Sequence, residues 1–288
     1  NRGKRSFCVD MNHPAGAELI RELASKVDVI VENFSPGVLK RRNLDYETLS
    51  KTNPSVIMAS VSGFGQTGPL SEQPCFDLIA QGYAGLMHMT GEPDRPPMFV
   101  GFGLADTNAG AHAFAAIGHA LYNRERTGRG THLDISMVDA LFHMQDLPVH
   151  AESMTDGEYG AIRQGTNFQM LSPAGSFQGP EGWIVILCAE AQIANLYQAM
   201  GKSELSEDPR FTGNPARLEN RKELTSIIEK WMSTFSTDEE VLEILQENRV
   251  PCGPVLTPKE TLSHPHFVER GTIRTVHDPL LGEVQIPG

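Results

Sequence analysis

Short β-branched runs recur along the first half of this 288-residue chain, with helical stretches between them. That alternation restricts the fold more than any other feature. Val27-Asp28-Val29-Ile30-Val31, Ser55 to Val61 and His132 to Ile135 read as strands. Between and around them the apolar spacing is helical. Ala15 to Lys26 carries Ala17, Leu19, Ile20, Leu23 and Ala24 on one stripe, and Pro74 to Met87, Asn108 to Arg124 and Ser136 to His150 read the same way. Ser35-Pro36 reads as a capped helix start. Strands separated by helices imply a parallel α/β layer. Beyond Met154 the character changes. Two hairpins, Ser172 to Leu187 around Gly179-Gly182 and Thr272 to Pro287 around Leu281-Gly282, bracket amphipathic helices near Ala191–Met200, Arg217–Phe235 and Asp238–Asn248. The expected organisation is a Rossmann-like α/β domain over residues 1–155 with a parallel sheet, followed by a smaller α+β domain over 156–288.

Charge narrows the range of partners. Lys and Arg total 24 against 36 Asp and Glu, a formal net charge of −12. With no long basic run, neither nucleic acid nor an anionic membrane is the expected main partner. An anionic small ligand needs only a few local cations and stays open. No apolar stretch reaches the roughly 20 residues of a membrane-spanning helix. Cys8, Cys75, Cys188 and Cys252 are far apart with no C-x-x-C pair, so reduced thiols in a cytoplasmic setting are the simplest reading. The chain opens on Asn1-Arg2-Gly3-Lys4-Arg5 without a methionine, and so reads as cut from something longer.

The run Val100-Gly101-Phe102-Gly103-Leu104-Ala105-Asp106-Thr107-Asn108-Ala109-Gly110 places a carboxylate among glycines ahead of a long, small-residue helix pattern. Such a carboxylate at a strand-to-helix junction faces free backbone N–H groups and the positive end of the helix dipole. It can be a nucleophile, or it can be the helix N-cap, which is the commoner use of aspartate there. Asp77 lies in a similar neighbourhood. Paired carboxylates can divide acid and nucleophile roles, although two caps would look the same in sequence. The loop Ser62-Gly63-Phe64-Gly65-Gln66-Thr67-Gly68-Pro69 directly follows a strand. It is either a ligand loop or a plain glycine turn. Arg41 and Arg42 are either a phosphate-sized cationic site or a solvated helix end. His112 and His119 fall on one helix face after Asp106, where packing is the simpler role. Ten histidines contain no ligand-like spacing, so no metal site is expected.

Read together, several stretches resemble the family III CoA-transferases, a group that includes the formyl-CoA and carnitine-CoA transferases and the α-methylacyl-CoA racemases. The matching stretches are Asn1 to Ser6, Val31-Glu32-Asn33-Phe34-Ser35-Pro36-Gly37, Ser62 to Pro69, Leu104 to Gly110, Arg126-Thr127-Gly128-Arg129-Gly130 and Val250-Pro251-Cys252-Gly253-Pro254-Val255. They run in the family's order over nearly the whole chain.

The resemblance implies transfer of CoA from an acyl-CoA donor to a small carboxylic acid. The reaction would run through an aspartyl-acyl anhydride and an aspartyl-CoA thioester at the position matching Asp106. It implies CoA contacts at Asn33, Phe34 and Ser35, an arginine on the CoA phosphates at Arg41, and pocket residues at Phe76 and Asp77. It further implies acyl-CoA as a substrate with no permanently bound cofactor, and an interlocked homodimer. The racemases carry a histidine where this chain has Phe76, and phenylalanine cannot exchange a proton. A racemase or isomerase, or a CoA-binding protein without catalysis, are the alternatives. The region matching a mobile glycine run in some transferases, Ser172 to Gly175, has a single glycine here. The family's first α/β segment and a C-terminal segment have no counterpart in this chain.

Overall fold

The computed structural model describes residues 3–288; Asn1 and Arg2, which open the first matching stretch, lie outside the described residues. The chain divides into two compact units, one ending at Gly165 and the other spanning Thr166–Gly288.

In the first unit, α1 (Pro14–Ala24) leads into β1 (Val29–Glu32), α2 (Tyr46–Leu49), β2 (Ile57–Ser62), α3 (Asp77–Tyr83), α4 (Leu86–Met89), α5 (Leu104–Thr127), β3 (His132–Ser136), α6 (Met137–His143) and α7 (Asp146–Met154). The strands form one sheet in the order β1-β2-β3. Both pairings are parallel, with Val29 beside Ile57 and Met58 beside His132. The mixed α/β class with a parallel sheet is as the alternation implies. The core around α3, α5 and α6 is built mainly from small residues: Ala80, Ala84, Ala105 and Ala109 pack with Met137 and Leu141. Alanine at those positions lets the helices approach closely, since interaxial distance follows the side chains at the contact.

Several expected elements differ in the structure, each for a local reason. No α-helix opens at Ser35-Pro36. The chain makes turns there and then a single 3-10 turn at Lys40–Arg42, because Gly37 (φ +82°) and Asn43 (φ +53°) both sit in the left-handed region. The segment expected as one helix from Pro74 to Met87 is two, α3 and α4, broken at Gly85 with φ +86°. The segment Ser136–His150 is likewise split into α6 and α7 at Met144-Gln145, where the buried Gln145 side chain donates to the carbonyls of Ala84 and Leu141.

The second unit has a sheet of β4 (Ala174–Gln178), β5 (Trp183–Leu187) and β6 (Cys252–Pro254), antiparallel throughout. Helices α8 (Ile193–Ala199), α9 (Asn214–Glu219), α10 (Arg221–Met232) and α11 (Asp238–Glu247) surround it. Two short helices, α12 (Pro258–Ser263) and α13 (Pro265–Glu269), precede a terminal hairpin of β7 (Ile273–Asp278) and β8 (Gly282–Pro287). Its core is aliphatic and aromatic, with Phe177, Ile184, Ile186, Leu196, Tyr197, Leu224 and Ile228 buried together. Arg217, 1% exposed, is held inside by the carbonyls of Ser172 and Phe211 and by Glu190, which meets the rule that a buried charge is paired and hydrogen-bonded. No helix among the described residues is long and apolar enough to cross a membrane.

Candidate active site

The segments that follow β1 and β2 meet the N-terminal ends of α3 and α5 at the carboxyl edge of the parallel sheet. Ligands of open α/β sheets bind at that edge. A cleft of about 420 Å³ opens there, lined by Asn33, Phe34 and Ser35 after β1, Ser62 and Gly63 at the end of β2, Cys75 and Phe76 before α3, and Asp106. Asn33, Phe34, Ser35, Phe76 and Asp106 thus share one cavity although the chain separates them widely. Phe76 presents its ring to solvent, 78% exposed. Phe34 is set by a local turn in which its N–H donates to Glu32 Oε2 at 2.8 Å.

Asp106 does not cap a helix. The cap position is Gly103, which has no side chain to offer, and Asp106 is the third residue of α5. No strand precedes it either; residues 91–103 have no regular structure. The cap comes from elsewhere. Asp77 Oδ1 accepts the N–H of Ala105 at 2.6 Å and that of Asp106 at 3.3 Å. A carboxylate on the first turn of α3 therefore closes the N-terminus of α5, where orphan amides and the dipole favour negative charge. The other oxygen, Oδ2, accepts from Gln81 Nε2 at 2.6 Å. Asp77 stands behind the cleft rather than among its lining residues.

Burial, and secondarily the charge of Asp77, push the Asp106 carboxyl above its ordinary value of 3.8. The Cys75 thiol is pushed up as well, by burial first and then by Asp106 and Asp77. It stays protonated at neutral pH and does not act as a thiolate nucleophile. Gly63 is fixed by this neighbour: a Cβ there would lie 2.1 Å from Cys75 Cβ and 2.6 Å from its Sγ.

Arg41 lies outside the cleft, in a neighbouring hollow of about 500 Å³ shared with Asn12, Arg21 and Arg42. Arg41 Nη1 would lie 3.0 Å from a Cβ at Gly37, so the glycine makes room for the guanidinium. Arg42 is engaged by the protein, donating to the Val38 carbonyl and to Asn12 Oδ1. His112 and His119 bond backward to their own helix, at the carbonyls of Asn108 and Ala115, and not to Asp106. Among the described residues no cluster of three or more His, Cys, Asp or Glu is placed to hold a metal. The loop Ser62–Pro69 is held from β3, where both oxygens of Asp134 accept the N–H of Gln66.

Gln81 and Cys75 belong to this arrangement although no sequence motif assigns them to it, while Ser62 and Gly63 place the head of the Ser62–Pro69 loop in the cleft. For Gln81 a signal existed: it lies four residues after Asp77, on the same helix face.

The family model for CoA-transferase family III matches residues 1–288. The chain belongs to that family. This CoA-transferase is 37% identical over 291 residues to succinyl-CoA–D-citramalate CoA-transferase of Chloroflexus aurantiacus, covering 99% of the chain and 71% of the relative. It is 38% identical over 275 residues to acetyl-CoA:oxalate CoA-transferase of Acetobacter aceti, covering 95% of the chain and 70% of the relative. The crystal structure of a CAIB/BAIF family protein from Brucella suis superposes with a TM-score of 0.83 at 35% identity, over 95% of this chain and 72% of that one.

Proposed function

We propose that this CoA-transferase moves CoA from an acyl-CoA donor to a small carboxylic acid with Asp106 as the covalent nucleophile. The observation that carries the reading is the placement of Asp106: a carboxylate at the first turn of α5, lining the same cleft as Asn33, Phe34 and Ser35. The donor's acyl carbon is attacked by an Asp106 oxygen, the C–S bond breaks and CoA thiolate leaves, giving a mixed anhydride. The thiolate then attacks the Asp106 carbonyl carbon and releases the donor as its carboxylate, leaving an aspartyl-CoA thioester. The acceptor carboxylate attacks that thioester, expelling thiolate and forming a second anhydride. Attack of the thiolate on the acceptor's acyl carbon yields the new acyl-CoA and restores Asp106.

Each tetrahedral oxyanion needs a donor. The first amides of α5 are already spent, those of Ala105 and Asp106 on Asp77 and those of Leu104 and Thr107 on the carbonyls of Phe102 and Gly103. The Asn33 amide and the Ser35 and Ser62 hydroxyls, which line the cleft, are the groups we assign to that role. Arg41 binds the phosphates of CoA from the adjoining hollow. The names of the two relatives, with citramalate and oxalate as acceptors, support a short dicarboxylic acid as the acceptor class.

Phe76 weighs against racemase chemistry, because a phenyl ring in the lining cannot serve as the second base. We further propose that the working form is a homodimer. On α5, Phe114 and Tyr122 are 80% and 65% exposed, and nothing lies within 4 Å of a Cβ at Gly110 or Gly118, which precede each ring by four residues. Large rings alternating with open notches suit the same surface of a second copy.

Hydroxylamine converts an activated aspartyl group to a hydroxamate. Incubation with succinyl-CoA or acetyl-CoA followed by hydroxylamine and peptide mapping is expected to place the adduct on Asp106. Wild-type transfer rates in Asp106→Ala would overturn the assignment. Sedimentation of the full chain at micromolar concentration tests the dimer, and a monomeric mass for the active enzyme would reject it.

A further inference from the structure

We infer that Gln81 is a positioning residue for the transfer reaction: its buried side-chain amide locks the Asp77 carboxylate to the Val100–Gly103 segment, and so fixes the start of α5 that carries Asp106. The inference rests on the reading of Asp106 as nucleophile.

Gln81 is fully buried on α3. Its Oε1 accepts the N–H of Val100 at 2.9 Å. Its Nε2 donates to Asp77 Oδ2 at 2.6 Å and lies 3.5 Å from the carbonyl of Phe102. Asp77 in turn takes the amides of Ala105 and Asp106. The result is a closed circuit: Val100 N–H to Gln81, Gln81 to Asp77, Asp77 to the first turn of α5. It spans a glycine-rich stretch whose own bonds are the tight turns Phe102 N–H to Val100 O and Leu104 N–H to Phe102 O, with Thr107 closing the first helical turn on Gly103 O. None of these bonds ties the stretch to α3; that link is made by the circuit.

The amide has one workable orientation. Turned over, Oε1 would face a carboxylate oxygen and Nε2 would face a backbone N–H, and both contacts are repulsive. A packing role alone at this depth is met by leucine or methionine without a buried polar group to satisfy. Both Asp77 oxygens take part in this circuit, Oδ1 toward α5 and Oδ2 toward Gln81.

Gln81→Met keeps the volume and removes every bond. Gln81→Glu keeps the Val100 contact but sets a second carboxyl against Asp77 Oδ2. Two carboxyls at that separation coexist only while they share a proton. The other titratable groups near Asp77 are Asp106 and the Cys75 thiol. Both variants are assayed with acyl-CoA donor and carboxylate acceptor from pH 5 to 9, with CoA affinity by calorimetry and folding by circular dichroism. The expected result is a kcat at least tenfold lower in Gln81→Met with CoA affinity within about twofold of wild type. In Gln81→Glu, kcat relative to wild type is expected to recover at low pH and fall at high pH.

A folded Gln81→Met with unchanged kcat, or a Gln81→Glu whose pH profile parallels wild type, would overturn the positioning role. If Gln81→Met fails to fold, the Gln81→Glu profile decides alone. Asp106→Ala run alongside separates the two claims. Full activity there rejects the nucleophile, whereas an inactive Asp106→Ala with unaffected Gln81 variants rejects only the circuit.

Discussion

Asp77 Oδ1 and the backbone N–H of Asp106 are hydrogen-bonded at 3.3 Å, so that one carboxylate holds the peptide that carries the other. The pair meets through backbone. Asp106 keeps its own side chain in the cleft while Asp77 caps the helix beneath it. Asp77→Ala removes the cap and strands the Gln81 amide, a loss on the order of 2 kcal/mol. Urea denaturation is expected to show it as a lower midpoint at unchanged slope. Asp77→Asn keeps an acceptor for the two amides and should lose less.

The same neighbourhood sets a pH dependence. In the proposed role Asp106 attacks only as the carboxylate, and burial with the Asp77 charge raises its pKa above 3.8. The acid limb of kcat/KM should therefore lie above the range of an exposed aspartate. In Asp77→Asn it should move to lower pH without reaching the ordinary value, because burial, the larger cause, remains. The stability linkage has the matching sign. The folded state binds the Asp106 proton more tightly than the unfolded one, so that contribution is complete below pH 3.8 and is lost as pH rises through the raised pKa. Asp106→Asn should then be at least as stable as wild type at pH 7. A stability deficit in that variant at neutral pH, measured by thermal unfolding, contradicts the assigned direction.

Gly63→Ala places a methyl 2.1 Å from Cys75 Cβ, and something must shift. Overpacking of this kind costs about 1–3 kcal/mol, here on a wall of the cleft, so weaker acyl-CoA binding should accompany lower stability. Cys75→Gly in the same chain restores the space. If binding fails to recover in the double variant, the Gly63–Cys75 contact is not the cause.

Arg41 is exposed, and no protein partner for its side chain is present among the described residues. Arg41→Ala should leave the melting temperature within a degree or two. It should weaken acyl-CoA binding tenfold or more, the scale of a charge-assisted hydrogen bond of about 1.5–3 kcal/mol. Added salt should narrow the difference, as calorimetry at two ionic strengths would reveal.

Much of the fold was legible because hydrophobic period is local. The runs around Val29, Ile57 and His132 announced the parallel sheet, and the two hairpins were bracketed by their glycines. The helix breaks at Gly85 and at Met144-Gln145 were not legible, since the apolar spacing continues through them and the breaks depend on a positive φ and on a buried side-chain amide. Asn33, Phe34, Ser35, Phe76 and Asp106, which the family resemblance brings forward, share one cleft in the structure. The roles of Asp77 and Gln81 were not legible. They depend on hydrogen bonds to backbone 19 to 29 residues away, and backbone amides leave no mark in a sequence. For the same reason the cap reading of Asp106 stays open in the sequence, whereas in the structure the cap is Asp77.

Phe76 and Asp77 are adjacent in the chain and opposite in task. One side chain lines the cleft, while the next is tied into the scaffold behind it. A substitution at 76 therefore changes the wall of the pocket, or even the kind of proton chemistry available there, and leaves the bonds from Asp77 to α5 and Gln81 in place. Within a single dipeptide, the surface a ligand meets can be altered without loosening the joint between two helices.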